Sequence, residues 1–148
     1  MERLIINTGL AGFIMPDRIT LLTDTTIEAI KIFDESSDRD YIRVETMAQI
    51  CALHARYFID FQKHAFLLKI NEFNYCANMA DQDEVIIHAA IVSSAKEAFL
   101  YTVSATQNDR ELFNGKLLIA VTDYSDTFNK ETLEQHYRNL FSCLTKDL

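Results

Sequence analysis

The sequence predicts an α+β fold in which one long buried helix lies in the curl of an antiparallel sheet. Three observations carry this expectation. The run 43–62 holds no Gly or Pro, is rich in helix formers, and is apolar over most of its circumference. Three later runs alternate in hydrophobicity and are separated by short polar turns, the pattern of an antiparallel meander. A last run, 129–146, carries a single apolar stripe at helical spacing. A helix buried against consecutive hairpin-linked strands is an α+β arrangement.

Composition sets the bounds. The chain has 148 residues, is 49% hydrophobic, and contains one Pro and three Gly. Collagen-like, low-complexity and unfolded polar classes are excluded. A chain of this length buries roughly 70% of its extended surface, enough for one core, so one domain spanning 1–148 is expected. Twenty-two acidic residues face fourteen Lys and Arg, a formal charge of -8. Such a surface repels phosphate backbones, so no nucleic-acid partner is expected. No apolar run approaches the ~20 residues that span a bilayer, so neither a membrane anchor nor a signal peptide is expected. Cys51, Cys76 and Cys143 are widely spaced and form no C-x-x-C. They read as buried reduced thiols of a cytoplasmic protein.

The elements follow in order. Residues 4–6 form a short strand, and Gly9 to Gly12 bend the chain. The stretch from Pro16 to Asp24 is a turn followed by a short extended segment. Residues 25–33 alternate and form a strand. The charged segment 34–40 is a solvated loop; it lacks the Gly and closing Glu of a calcium loop. In the helix 43–62 the polar residues Glu45, Gln49, Arg56 and Asp60 fall on one stripe, at offsets of four, eleven and fifteen, with Ala52 filling the intervening place. Strands follow over 65–75, 85–94, 98–106 and 112–121. After the linker 123–130, Asn129 caps a terminal helix with Glu131 in its first turn. Leu133, Tyr137, Leu140, Phe141 and Leu144 make its apolar stripe.

At Glu45-Thr-Met-Ala-Gln49 the sequence resembles the hotdog-fold 3-hydroxyacyl-acyl-carrier-protein dehydratases, whose central helix begins with a Glu-x-Met-Ala-Gln run. The segment Pro16-Asp-Arg-Ile-Thr-Leu-Leu-Thr-Asp24 is similar to that family's N-terminal Pro-His-Arg signature, with Asp17 where His is usual. The resemblance covers about 16–122 and implies a hotdog domain with that core. It also implies a homodimer built through the open sheet edge, with pockets at the interface. The acyl chain there would be a thioester of acyl carrier protein or coenzyme A. The family's catalytic His has no counterpart: between Gly12 and Glu45 there is no His. The resemblance therefore implies an acyl-thioester-binding protein of the dehydratase-like lyase class in fatty acid biosynthesis, with activity weakened or lost. Two alternatives stay open: a non-catalytic binding or assembly protein, and a hotdog thioesterase that uses Glu45 to activate water.

Glu45 is the candidate catalytic residue. Burial would raise its pKa and the helix dipole would lower it, and a carboxylate so placed can shuttle a proton. The structural alternative is a cap, or a pair with Arg43 or Arg56. Gln49, one turn on, is a candidate substrate-binding residue that orients Glu45 or bonds a thioester oxygen. His88, in a strand, is the histidine whose position can bring it into the pocket. His54 is half a turn out of phase with Glu45 and reads as packed. His64 is expected to end the helix, where an imidazolium suits the dipole, and His136 to lie on the terminal helix surface. No two His stand at i,i+4, and no Gly-rich phosphate loop or G-x-S-x-G is present, so no metal and no cofactor are expected.

Overall fold

The computed structural model describes residues 5–6, 13–14, 16–33, 40–80 and 83–148. The expected loop 34–40 falls almost wholly outside them. The strands are β1 (Ile5–Ile6), β2 (Phe13–Ile14), β3 (Arg18–Leu22), β4 (Thr26–Ile32), β5 (His64–Tyr75), β6 (Glu84–Ser94), β7 (Ala98–Gln107) and β8 (Arg110–Thr122). The helices are α1 (Asp40–Phe58) and α2 (Lys130–Leu144). β1 and β2 pair with each other; the other six form one antiparallel sheet in the order β3-β4-β6-β7-β8-β5. β6, β7 and β8 are the meander expected from their alternation. β5 enters from the helix on the far side of β8, which makes it an edge strand.

Period-two patterning decides which face of the sheet is covered. Ala29, Ile87, Ala105 and Phe113 stand side by side in register across β4, β6, β7 and β8, and all are buried. The next row, Glu28, His88, Ser104 and Asn114, points to the opposite face and is only partly buried. Helix α1 covers the first face. Met47, Ile50, Cys51, Leu53 and Ala55 are fully buried in the common core. The β7–β8 hairpin turns on Asn108 and Asp109, both at positive φ (51° and 63°), as a two-residue primed turn requires.

Helix α1 begins earlier than its sequence pattern suggests and stops sooner. Its end is a Schellman arrangement. The Phe61 N–H donates to Arg56 O at 2.7 Å and the Asp60 N–H to Tyr57 O at 3.1 Å. Asp60 holds the left-handed position usual for Gly, φ 52°. Arg138 of α2 steadies it through Asp60 O at 2.8 Å and Oδ1 at 3.3 Å.

Helix α2 starts where its cap predicts: Asn129 Oδ1 accepts from the Thr132 N–H at 3.0 Å. Leu140 and Leu144 are buried, and Tyr137 and Phe141 pack against the core. Phe141 stacks on Tyr57, with centroids 5.6 Å apart and planes 12° apart.

Two expectations need correcting. Cys51 is buried, but Cys76 and Cys143 are exposed, because neither lies on a core-facing stripe. His64 does not end the helix; it opens β5.

Candidate active site

A groove of about 250 Å³ runs along α1 where the helix meets β5 and α2. Glu45, Ala48, Gln49, Ala52 and Arg56 form its helical wall. These are the members of the polar stripe and the small residues between them, so the groove follows from the sequence spacing. Alanines at 48 and 52 leave the room. The opposite wall is His64 to Leu67 of β5, and Tyr137 of α2 closes one end.

Glu45 is half-buried on this wall. Gln49 Nε2 donates to Glu45 Oε1 at 2.7 Å, an i,i+4 contact that fixes the carboxylate of this groove-lining residue. Because α1 starts at Asp40, Glu45 stands in the second turn and is not a cap.

Asp60, the fourth polar residue of the stripe, lies beyond the helix end, outside the groove, and is held by Arg138. His88 lies on β6 on the sheet face away from α1. It sits 3.6 Å from Glu28 Oε2 and lines a separate depression with Glu72, Thr102, Ser104, Asn114 and Lys116. Strand parity explains this: Ile87 and Ala89 face the helix, so His88 must face away. The structure thus brings Glu45 and Gln49 together and keeps His88 apart from them.

His54 is fully buried. Its Nε2 donates to Thr23 O at 2.8 Å and its Nδ1 accepts from the Tyr101 hydroxyl at 2.8 Å. Burial lowers its pKa, and both ring nitrogens are occupied, so it ties α1 to the sheet and is not free for chemistry. Asp17, which stands at the motif position usual for His, is buried and accepts from the Ile32 N–H at 2.7 Å. It braces the β3–β4 pair.

Two groove residues were not recognised as site residues in the sequence. Arg56 is 2% exposed. Its Nη2 donates to Ala65 O at 2.7 Å and to His64 Nδ1 at 3.2 Å, and its guanidinium carbon lies 3.6 Å from the Tyr137 ring centroid. His64 is held down to about pH 4 by burial and by the neighbouring Arg56 charge, so it serves as a neutral acceptor. The available signal for Arg56 was its offset of eleven from Glu45 on one helix face. His64 gave none, since its partner comes from a different element.

No family model matches the chain, and no curated protein matches it in sequence. Solved structures do. A thioesterase from Pseudomonas aeruginosa, solved as a Gln-to-Ala variant, superposes with a TM-score of 0.62 at 13% identity, over 72% of this chain and 81% of that one. A hypothetical thioesterase from Streptococcus pneumoniae, solved with coenzyme A, gives 0.60 at 18% identity over 72% and 85%. A Streptococcus mutans protein bound to acetyl-CoA gives 0.60 at 17% identity over 72% and 88%. The likeness supports the fold implied by the helix motif and does not single out the dehydratase branch. With a long helix laid across one face of a six-stranded antiparallel sheet, the chain has the hotdog fold.

Proposed function

We propose that this protein binds acyl thioesters of coenzyme A or acyl carrier protein and hydrolyses them, with Glu45 as the base. The observation that carries the reading is the Glu45 carboxylate, half-buried and oriented by Gln49 on a groove of about 250 Å³. The described neighbours, which include thioesterases and acetyl-CoA and coenzyme A complexes, support hydrolysis over dehydration. In the reaction Glu45 takes a proton from water as the water oxygen attacks the thioester carbonyl carbon. The tetrahedral intermediate collapses with cleavage of the C–S bond, and the proton passes to the departing thiolate.

The working unit in this reading is a homodimer. β5 is a twelve-residue edge strand, and its Phe66, Leu68 and Ile70 are 37%, 57% and 45% exposed. A long apolar edge of this kind calls for a partner strand. Pairing with a second copy would cover the edge and close the groove beside it.

The test is thiol release from a panel of acyl-CoA esters. Glu45→Gln keeps the shape and the Gln49 contact but removes the base, and should lower kcat about 10²–10⁴-fold with little change in KM. Undiminished hydrolysis by Glu45→Gln would refute the assignment.

A further inference from the structure

The guanidinium of Arg56 is a buried cation with half of its hydrogen bonding missing. Nη2 uses both of its N–H bonds, on Ala65 O and His64 Nδ1. Nε and Nη1 carry the other three of a guanidinium's five N–H bonds, are shut off from solvent, and have no partner. Among the described residues no carboxylate pairs with Arg56. Its neighbours are a neutral imidazole, a carbonyl, the face of the Tyr137 ring and the hydroxyls of Tyr137 and Tyr124. The last-turn position on α1 and the Tyr137 ring offset part of the burial cost. The Tyr137 hydroxyl adds a weak contact, and Nε and Nη1 still have no acceptor in good hydrogen-bond geometry. A buried charge left this way is costly, and such a group is retained where something else completes it.

Arg56 also has a direction. It lies on the same helix wall as Glu45, eleven residues on, which is about 16 Å of helix axis. Glu45 stands towards one end of the groove, and Arg56, His64 and Tyr137 at the other. The alanine-lined middle takes methylene groups. A ligand whose carbonyl sits at Glu45 therefore reaches Arg56 with the far end of its acyl chain.

We propose that the groove is built for acyl groups of medium length that end in a carboxylate, and that Arg56 receives that carboxylate. The free N–H groups on Nε and Nη1 can each donate a charge-assisted hydrogen bond to a carboxylate oxygen. The Tyr137 ring must shift to admit the ligand, so α2 forms the cover of this end. This inference rests on the thioesterase reading for its reaction but not for its binding.

The experiment has two arms. In the first, kcat/KM is measured for suberyl-CoA and octanoyl-CoA, which have equal carbon number and differ in the terminal carboxylate. The intact protein should favour suberyl-CoA at least tenfold, and Arg56→Met should erase that ratio. In the second, melting temperature is followed with free suberate and with neutral suberamide. Suberate alone should stabilise the intact protein, and Arg56→Met should lose the response. If no thioester is cleaved but suberate stabilises selectively, the hydrolase reading falls and the carboxylate site stands. Equal treatment of suberyl and octanoyl esters, or of suberate and suberamide, by the intact protein overturns the proposal. That comparison needs no variant and survives if Arg56→Met does not fold. Where it does not fold, Arg56→Lys should keep a weakened suberate response.

Discussion

Gly115 is the place where one methyl group should report on the whole β5–β8 pairing. It sits opposite Phe73 in the register of the two strands. A Cβ there would stand 2.6 Å from Glu72 O and 3.6 Å from Met47 Cε. Ordinary carbon–oxygen contact begins well beyond the first distance. The obstructing atom is a strand carbonyl, which cannot rotate aside as a side chain can. Relief requires β5 to move away from β8, or the sheet to bow beneath α1. Overpacking of this kind costs typically about 1–3 kcal/mol. For a domain of this size each kilocalorie lowers Tm by about 2–4 °C. Gly115→Ala should therefore melt several degrees below the parent and unfold at lower urea with an unchanged m-value. Ser104→Ala, on the open face of β7, serves as control and should lie within about 0.5 kcal/mol of the parent. A Gly115→Ala protein as stable as the control would refute the close approach and, with it, the register that sets the β5 wall of the groove.

Two further outcomes follow from the charges and the sheet edge. His64 has a folded pKa of about 4, below its ordinary value of 6.5, so the unfolded chain binds the extra proton. Its contribution is fully present above pH 6.5 and lost as pH falls towards 4; buried His54 acts in the same direction. Urea midpoints should drop between pH 7 and pH 5, and His64→Gln should flatten that drop; an identical drop in the variant would count against the Arg56–His64 pairing. Sedimentation of the intact protein at micromolar concentration should give a particle of twice 17.0 kDa, and Leu68→Lys with Ile70→Lys should shift it to one. A 17.0 kDa particle for the parent would remove the dimer from the mechanism.

The legible part of the fold was the part governed by local period. Strand alternation named β6, β7 and β8 almost to their ends, and Asn129 marked the start of α2. The stripe of Glu45, Gln49 and Arg56 foretold one wall of the groove, because residues four and eleven apart on a helix must share a face. What escaped was non-local. Nothing near His64 says that it opens a strand beside Arg56, or that Tyr137, seventy-three residues later, will cover both. The placement of His88 was legible in principle. Val85, Ile87 and Ala89 are the buried set of β6, and parity puts His88 on the other face. Its neighbours Ile86 and Ala90 are also apolar, which blurs the alternation.

The same geometry bears on which thioester reaction the groove can support. Dehydration of a 3-hydroxyacyl group needs one residue to remove the α-proton and a second to protonate the departing hydroxide. Each positioned group contributes about 10²–10⁴-fold, or roughly 3–5 kcal/mol. Beside Glu45 stands Gln49, an amide that orients but does not transfer protons. His88 is across the sheet, and His54 is locked between Thr23 and Tyr101. His64 does line the groove, but its Nδ1 is taken by Arg56 and the guanidinium charge disfavours its protonated form, so it is a poor acid at neutral pH. Hydrolysis asks for less: one carboxylate to deprotonate water, donors for the carbonyl oxygen, and a leaving thiolate that needs little acid assistance because thiols ionise readily compared with alcohols. Among the described residues Glu45 is the one carboxylate that lines the groove, which matches that smaller demand.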